Sequence, residues 1–303
     1  MPEDMLKLEG IYPPVPTFFD AAGELDLATL RRHLQRLTEP ANCWVAGIVA
    51  LGSNGEAAHL DEPERDLVLR TIRAATPASL PMLAGASAQS TRGALALCES
   101  AARAGAAAAL ILPPSYFRSQ MTMKALVQHY HALAEASPLP IVIYNMPGST
   151  GGLDLDAATL IAIAEHPRVI GVKDSAGNVT KLAEIVARAR RGFQVLAGSA
   201  GFLLPALAVG ASGAVAALAN IAPRRCYDLM DLFRQGRLTE ARELQARLVP
   251  INNAVTSGYG VPGLKAALEL VAGYGGAPRA PLLALGESER DHLKHLLALM
   301  NTA

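Results

Sequence analysis

Eight short apolar runs recur along the chain with helix-period segments between them, and few folds accept that alternation. The runs cover 11–18, 44–51, 81–85, 107–112, 140–145, 169–173, 193–197 and 213–217. Helical stretches at 63–75, 91–104, 123–136, 156–165 and 179–190 lie between them, several opening on a capping residue such as Asp61, Ser90 or Thr122. Strands that alternate with helices predict a parallel sheet covered by helices. Eight such units within about 210 residues predict an α/β fold of the (β/α)8, or TIM, barrel type, with an open doubly wound sheet as the second choice. After Ala222 the pattern becomes purely helical, at 223–235, 239–255, 263–272 and 287–297. The expected organisation is therefore a barrel over 1–222 and a helical C-terminal extension over 223–303. No Gly/Ser-rich or Pro-rich linker separates the two, so the extension is expected to pack on the barrel.

Composition narrows the function. With 27 Lys plus Arg against 27 Asp plus Glu, the formal net charge is zero, which leaves no basic field for nucleic acid. The segment 195–223 carries no charged residue. Gly198, Gly201, Pro205, Gly210, Gly213 and Pro223 divide it, so it reads as strand, buried helix and strand, and no membrane span is expected. Cys43, Cys98 and Cys226 lack CxxC spacing and sit in apolar or helical context, which suits buried reduced thiols. The first ten residues, MPEDMLKLEG, hold acids and no apolar signal core, so a cytoplasmic location is expected.

In a (β/α)8 barrel the active site forms where strands end and the following loops begin. Those positions are rich in chemistry here: Gly52-Ser53-Asn54-Gly55-Glu56 after strand two, Pro113-Pro114-Ser115-Tyr116-Phe117 after four, Tyr144-Asn145-Met146-Pro147 at five, Lys173-Asp174-Ser175 at six and Gly198-Ser199 at seven. Only six of the 27 basic residues are lysine, and Lys173 follows the apolar Val169-Ile170-Gly171-Val172. Burial disfavours an ammonium and favours the free amine that a Schiff-base nucleophile needs. The plain alternative is a lysine that reaches the rim and pairs with Asp174. Tyr144 closes an otherwise aliphatic strand; beside Lys173 it is a candidate proton carrier, and alone it would equally be packing. The Gly52–Gly55 loop offers backbone N–H groups and the Ser53 hydroxyl as a seat for a carboxylate, although a lone GxxG is also an ordinary turn. His129 and His131 fall on a helix where they point to different faces, and no cluster has metal-ligand spacing, so neither a metal nor a cofactor is expected.

GSNGE at 52–56, YNMP at 144–147, GVKDSAGN at 171–178 and LAGS at 196–199, in this order, resemble the dihydrodipicolinate synthase/N-acetylneuraminate lyase superfamily of pyruvate-dependent class I aldolases. The resemblance runs over nearly the whole chain. GLDL at 152–155, the segment 196–220 and AVTSGYGVPGLK at 254–265 resemble its 4-hydroxy-2-oxoglutarate aldolases most closely.

The resemblance implies that Lys173 forms an imine with pyruvate or a 2-oxo acid, that Tyr144 moves protons, and that Ser53 links it to a second tyrosine, matched by Tyr116, reaching in from a neighbouring subunit. Ser53 and Asn54 would hold the pyruvate carboxylate, Ser175 the distal part of the substrate, and Gly198 would line the same site. It further implies a homo-oligomer, a tetramer built as a dimer of dimers, and an aldehyde such as glyoxylate as the second product. Where dihydrodipicolinate synthases carry an arginine two residues after the YNxP proline, this chain has Ser149, which offers no bidentate fork for a carboxylate. Two other readings remain: 4-hydroxy-tetrahydrodipicolinate synthase, and a non-catalytic 2-oxo acid binding protein.

Overall fold

The computed structural model describes residues 6–39 and 44–301; Cys43 lies outside them. Eight parallel strands form one sheet: β1 (Gly10–Tyr12), β2 (Ile48–Ala50), β3 (Met82–Gly85), β4 (Ala108–Ile111), β5 (Ile141–Asn145), β6 (Val169–Asp174), β7 (Gln194–Ala197) and β8 (Gly213–Val215). Neighbours follow chain order from β2 to β8, and β8 pairs with β1. The sheet closes on itself where Val49 N donates to Pro13 O and Val15 N donates to Val49 O, each at 3.0 Å. This seam explains why β1 stops at Tyr12 although the apolar run continues to Phe18. Pro13, Pro14 and Pro16 carry no N–H, so a ladder cannot extend through them. At the other edge Leu51 takes φ 53°, which ends β2 and turns the chain into the loop that follows.

Helices α1 (Leu27–Leu37), α2 (Glu62–Ala75), α3 (Thr91–Arg103), α4 (Met123–Ala136), α5 (Ala157–Ala164), α6 (Val179–Arg188), α7 (Leu203–Ala208) and α8 (Pro223–Arg234) each follow a strand. Their starts are chemically marked. Asp61 and Glu64 close a capping box on α2, and Ser90, Thr122, Asp156 and Asn178 cap α3 to α6 by accepting a backbone N–H. The uncharged segment 195–223 is strand, short helix and strand, and no described helix is long and apolar enough to cross a membrane.

Two apolar clusters separate inside from outside. Tyr12, Val49, Leu83, Leu110, Val142, Leu196 and Val215 fill the barrel interior, whereas Ile11, Ile48, Ala84, Ile143, Val172 and Val195 pack under the helices. Alternation along each strand sends successive side chains to these two layers. Cys98 and Cys226 are free thiols buried in the outer layer; desolvation pushes the Cys226 thiol up to about 12.

Helices α9 (Leu238–Asn253), α10 (Gly260–Ala272) and α11 (Glu287–Asn301) complete the fold. Polar contacts fasten them to the end of β7: Gln245 Nε2 donates to Ala200 O at 2.9 Å, and Asn252 Nδ2 donates to Ser199 Oγ at 2.9 Å. A wide turn over Ala254–Gly258 separates α9 from α10.

Candidate active site

Lys173 reaches the barrel interior because β6 contains an irregularity. Val169 pairs with Ile141, but Gly171 pairs with Val142, so Ile170 is an extra residue against β5. Strict alternation from Val169, which faces the helices, would turn residue 173 outward as well. The extra residue reverses the parity, and such bulges commonly re-aim side chains beside active sites. Lys173 then stands in register with Tyr144 on β5 and Leu196 on β7, both of the inner layer. It is 4 % exposed, and its Nζ lies 3.8 Å from the centre of the Tyr144 ring.

The same parity sends Asp174 outward, away from Lys173. Asp174 Oδ2 pairs with Lys181 Nζ at 2.8 Å and accepts from Asn145 Nδ2 at 2.7 Å; its Oδ1 accepts from Ala176 N at 2.9 Å. Lys181 also meets Asp154 at 2.6 Å and Leu155 O at 3.2 Å. The alternative in which Lys173 pairs with Asp174 is thus not what the fold builds. The Asp174 carboxylate is engaged from α6, from the end of β5 and from the loop after β6.

Around the amine the other expected groups converge. Tyr144 Oη lies 3.2 Å from Ser53 Oγ and also contacts the Met146 sulfur. Ser53, Asn54 and Gly55 form one tight turn in which Gly55 N donates to Gly52 O and Glu56 N to Ser53 O. These bonds engage the Gly55 and Glu56 N–H groups, and Ser53 and Asn54 line the cavity. Thr17 Oγ1 donates to Gly55 O at 2.7 Å and anchors the turn from β1's side. Leu51 holds its left-handed conformation just before it, against Gly85, where an added Cβ would stand 1.9 Å from Leu51 O. Asn54 Nδ2 and Ser175 Oγ are buried and have no hydrogen-bond partner among the described residues. Buried polar atoms normally are paired, so two such atoms at one cavity mark a place for polar ligand groups.

The cavity holds about 1010 Å³ and is lined by Ser53, Asn54, Tyr144, Lys173, Ser175 and Gly198 together with Ser149 and Thr150. Its far wall comes from the end of α9 and the turn after it, through Asn253, Val255, Thr256 and Ser257. Sequence reading did not single out these last four. Val255, Thr256 and Ser257 had one early sign, the resemblance of 254–265, and Asn253 had none, because these residues meet the strand ends only through the packing of α9.

Tyr116 is the exception among the expected residues. It is 80 % exposed, does not line this chain's cavity, and stacks edge-on against Phe117 at 5.0 Å. Its backbone is held by Gln89, whose Oε1 accepts from Ser115 N at 2.8 Å and Tyr116 N at 3.0 Å. His129 and His131 bond to different neighbours, Thr91 Oγ1 at 2.8 Å and Ile163 O at 3.2 Å. Among the described residues no group of three His, Cys, Asp or Glu side chains is placed to hold a metal ion.

The chain is similar to known proteins over nearly its whole length. A probable mitochondrial 4-hydroxy-2-oxoglutarate aldolase of Emericella nidulans is 42 % identical over 289 residues, covering 94 % of this chain and 92 % of its own. An L-threo-3-deoxy-hexylosonate aldolase of Hypocrea jecorina is 40 % identical over 292 residues, covering 92 % and 91 %. The crystal structure of a dihydrodipicolinate synthase from Bacillus anthracis superposes with a TM-score of 0.91 at 27 % identity, over 99 % of this chain and all of that one. The model of the dihydrodipicolinate synthetase family matches residues 7–300, and the chain belongs to that family.

Proposed function

We propose that the protein is a class I aldolase that cleaves 4-hydroxy-2-oxoglutarate, or a related 2-oxo-3-deoxy acid, to pyruvate and an aldehyde such as glyoxylate. The observation that carries the reading is Lys173: an inward amine beside Tyr144, with the neighbouring Asp174 committed elsewhere. The Lys173 amine adds to the C2 carbonyl, and loss of water gives an imine. A base takes the proton of the C4 hydroxyl, the C3–C4 bond breaks, the aldehyde leaves, and its electron pair is held as an enamine. Protonation at C3 and hydrolysis then release pyruvate and the free lysine.

Tyr144 is placed to move these protons, and Ser53, 3.2 Å from its hydroxyl, to pass them on. The exposure of Tyr116 supports a role in the site of a neighbouring copy, and with it a homo-oligomer, a dimer of dimers. The Ser53 and Asn54 N–H groups would hold the C1 carboxylate, and Ser175 the distal end of the substrate. Gly198 leaves room there: a Cβ would stand 2.0 Å from Ser175 Oγ. We divide the chain into a barrel through residue 222 and a helical extension from 223, which lines the cavity from Asn253 onward. Buried free thiols fit a reducing compartment such as the cytoplasm.

The names of the two aldolase relatives support this substrate class. Ser149 at the cavity wall argues against aspartate semialdehyde, because one hydroxyl replaces a guanidinium fork. Pyruvate release from 4-hydroxy-2-oxoglutarate, followed by lactate dehydrogenase and NADH oxidation, tests the proposal. Turnover in the wild type and its loss in Lys173→Ala is the expected result. Faster condensation of pyruvate with aspartate semialdehyde would move the assignment to the synthase, and pyruvate binding with neither product to a non-catalytic binder.

A further inference from the structure

Glu56 closes the turn that faces the cavity, and the chemistry above makes no use of it. Its backbone is left-handed, at φ 51° and ψ 35°, a conformation that a residue with a side chain keeps only when its surroundings impose it. The surroundings here come from α10 and the segment after it, with His59 Nδ1 3.4 Å from Glu56 Oε2 on the near side. Lys265 on α10, wholly buried, places Nζ 2.6 Å from Glu56 Oε1, and the Arg279 N–H donates to Glu56 Oε2 at 2.8 Å.

Each of these groups is in turn fixed. Lys265 Nζ donates to Ala277 O at 3.0 Å and lies 4.4 Å above the Phe19 ring. The Arg279 guanidinium grips both oxygens of Glu64, at 2.7 and 2.6 Å, donates to Gly23 O and His59 O, and lies over the Phe19 ring, 4.3 Å from its centre. A buried ion pair gains little net stability over an apolar pair of the same shape, because desolvation of both charges opposes their attraction. Its clearest consequence is geometric: a charge fixed at the end of the turn, 223 residues from its partner Arg279 in sequence, leaves the turn one conformation.

We infer that Glu56 and Lys265 are positioning residues that hold the Ser53–Gly55 turn so that its N–H groups meet the substrate carboxylate. The inference rests on the aldolase reading. It gives the C-terminal extension a function in the site: affinity for the C1 carboxylate is set from α10.

The test compares two ketones that differ only at that group, pyruvate and its neutral amide, pyruvamide. Each is titrated against wild type, Glu56→Gln and Lys265→Met, and the imine is trapped with borohydride and quantified by intact mass. Misdirected N–H groups lose hydrogen bonds to a charged acceptor, so half-saturation by pyruvate should rise by about tenfold to a hundredfold. Half-saturation by pyruvamide should stay within about twofold, and trapping at saturation should change little. Should a single variant fail to fold, the double variant Glu56→Gln/Lys265→Met, which leaves no lone buried charge, supplies the same two curves. Pyruvate and pyruvamide weakening together, or neither weakening, would overturn the inference while leaving the aldolase assignment intact. No adduct in the wild type would overturn the assignment and the inference with it.

Discussion

Replacing Gly198 by alanine should cost some stability and a larger share of turnover. Gly198 lies just beyond β7, and its N–H donates to Asp174 O at 2.7 Å, so it ties β7 to the end of the strand that carries Lys173. An added Cβ would stand 2.0 Å from Ser175 Oγ and 2.7 Å from Asp174 O. The serine can rotate away, but the carbonyl is backbone. Against the 3.4 Å at which ordinary contact begins, the strand ends fall short by about 0.7 Å and must part by that much. Overpacking of this kind costs about 1–3 kcal/mol, which in a chain of this size lowers Tm by roughly 2–5 °C. Asp174 is the residue after Lys173, and misplacement of a reacting group by about 1 Å costs about a hundredfold in rate. Turnover of 4-hydroxy-2-oxoglutarate at 25 °C, well below the lowered Tm, should therefore fall by about tenfold to a hundredfold. Calorimetry and the coupled pyruvate assay measure the two effects. Wild-type kcat/KM in the alanine variant would refute the reasoning that the β6–β7 contact sets the position of the amine.

Three further outcomes follow from the geometry. Lys181→Met should leave Asp174, which is fully buried, with an uncompensated charge and destabilise the fold by about 3–5 kcal/mol in urea unfolding, whereas Lys181→Met/Asp174→Asn should recover most of it. Tyr144→Phe should lower kcat by roughly 10²–10⁴-fold while pyruvate can still be trapped on Lys173, since the phenol carries protons and the amine makes the bond. Stability should fall in acid through His33. Burial lowers this imidazole from its ordinary 6.5 to about 4, and its nitrogens are occupied by Tyr274 Oη and Asn220 Oδ1 at 3.0 Å each. The unfolded chain binds the proton first, so the neutral-histidine contribution is complete above pH 6.5 and is lost as pH falls toward 4, on the order of 3 kcal/mol at the lower end. His33→Gln should flatten that part of the pH dependence of urea unfolding.

Much of the candidate site is legible in the sequence. The strand runs follow from periodicity, and the position of Lys173 and Tyr144 at the ends of neighbouring strands follows from the rule that barrel sites form there. The illegible parts have specific physical causes. Reading Asp174 as a partner for Lys173 is natural in sequence, because the two are adjacent. Only the extra residue at Ile170, set by pairing with β5, turns the lysine inward and the aspartate toward Lys181. The first strand was expected to reach Phe18, but three prolines confine its ladder to Gly10–Tyr12. The link among Asn145, Asp154 and Lys181 was not expected, since it joins the end of β5, the loop before α5 and the start of α6. Glu56 and Lys265 are likewise ordinary charges in the sequence, and only the docking of α10 makes them a pair.

The central claim is that the Lys173 amine is the nucleophile, and intact mass after mixing the protein with pyruvate and borohydride tests it most directly. The account predicts one reduced pyruvyl adduct per chain, mapped by peptide digestion to Lys173 and absent from Lys173→Ala. An unmodified Lys173 in folded wild-type protein, or an adduct that maps to another lysine, would contradict it.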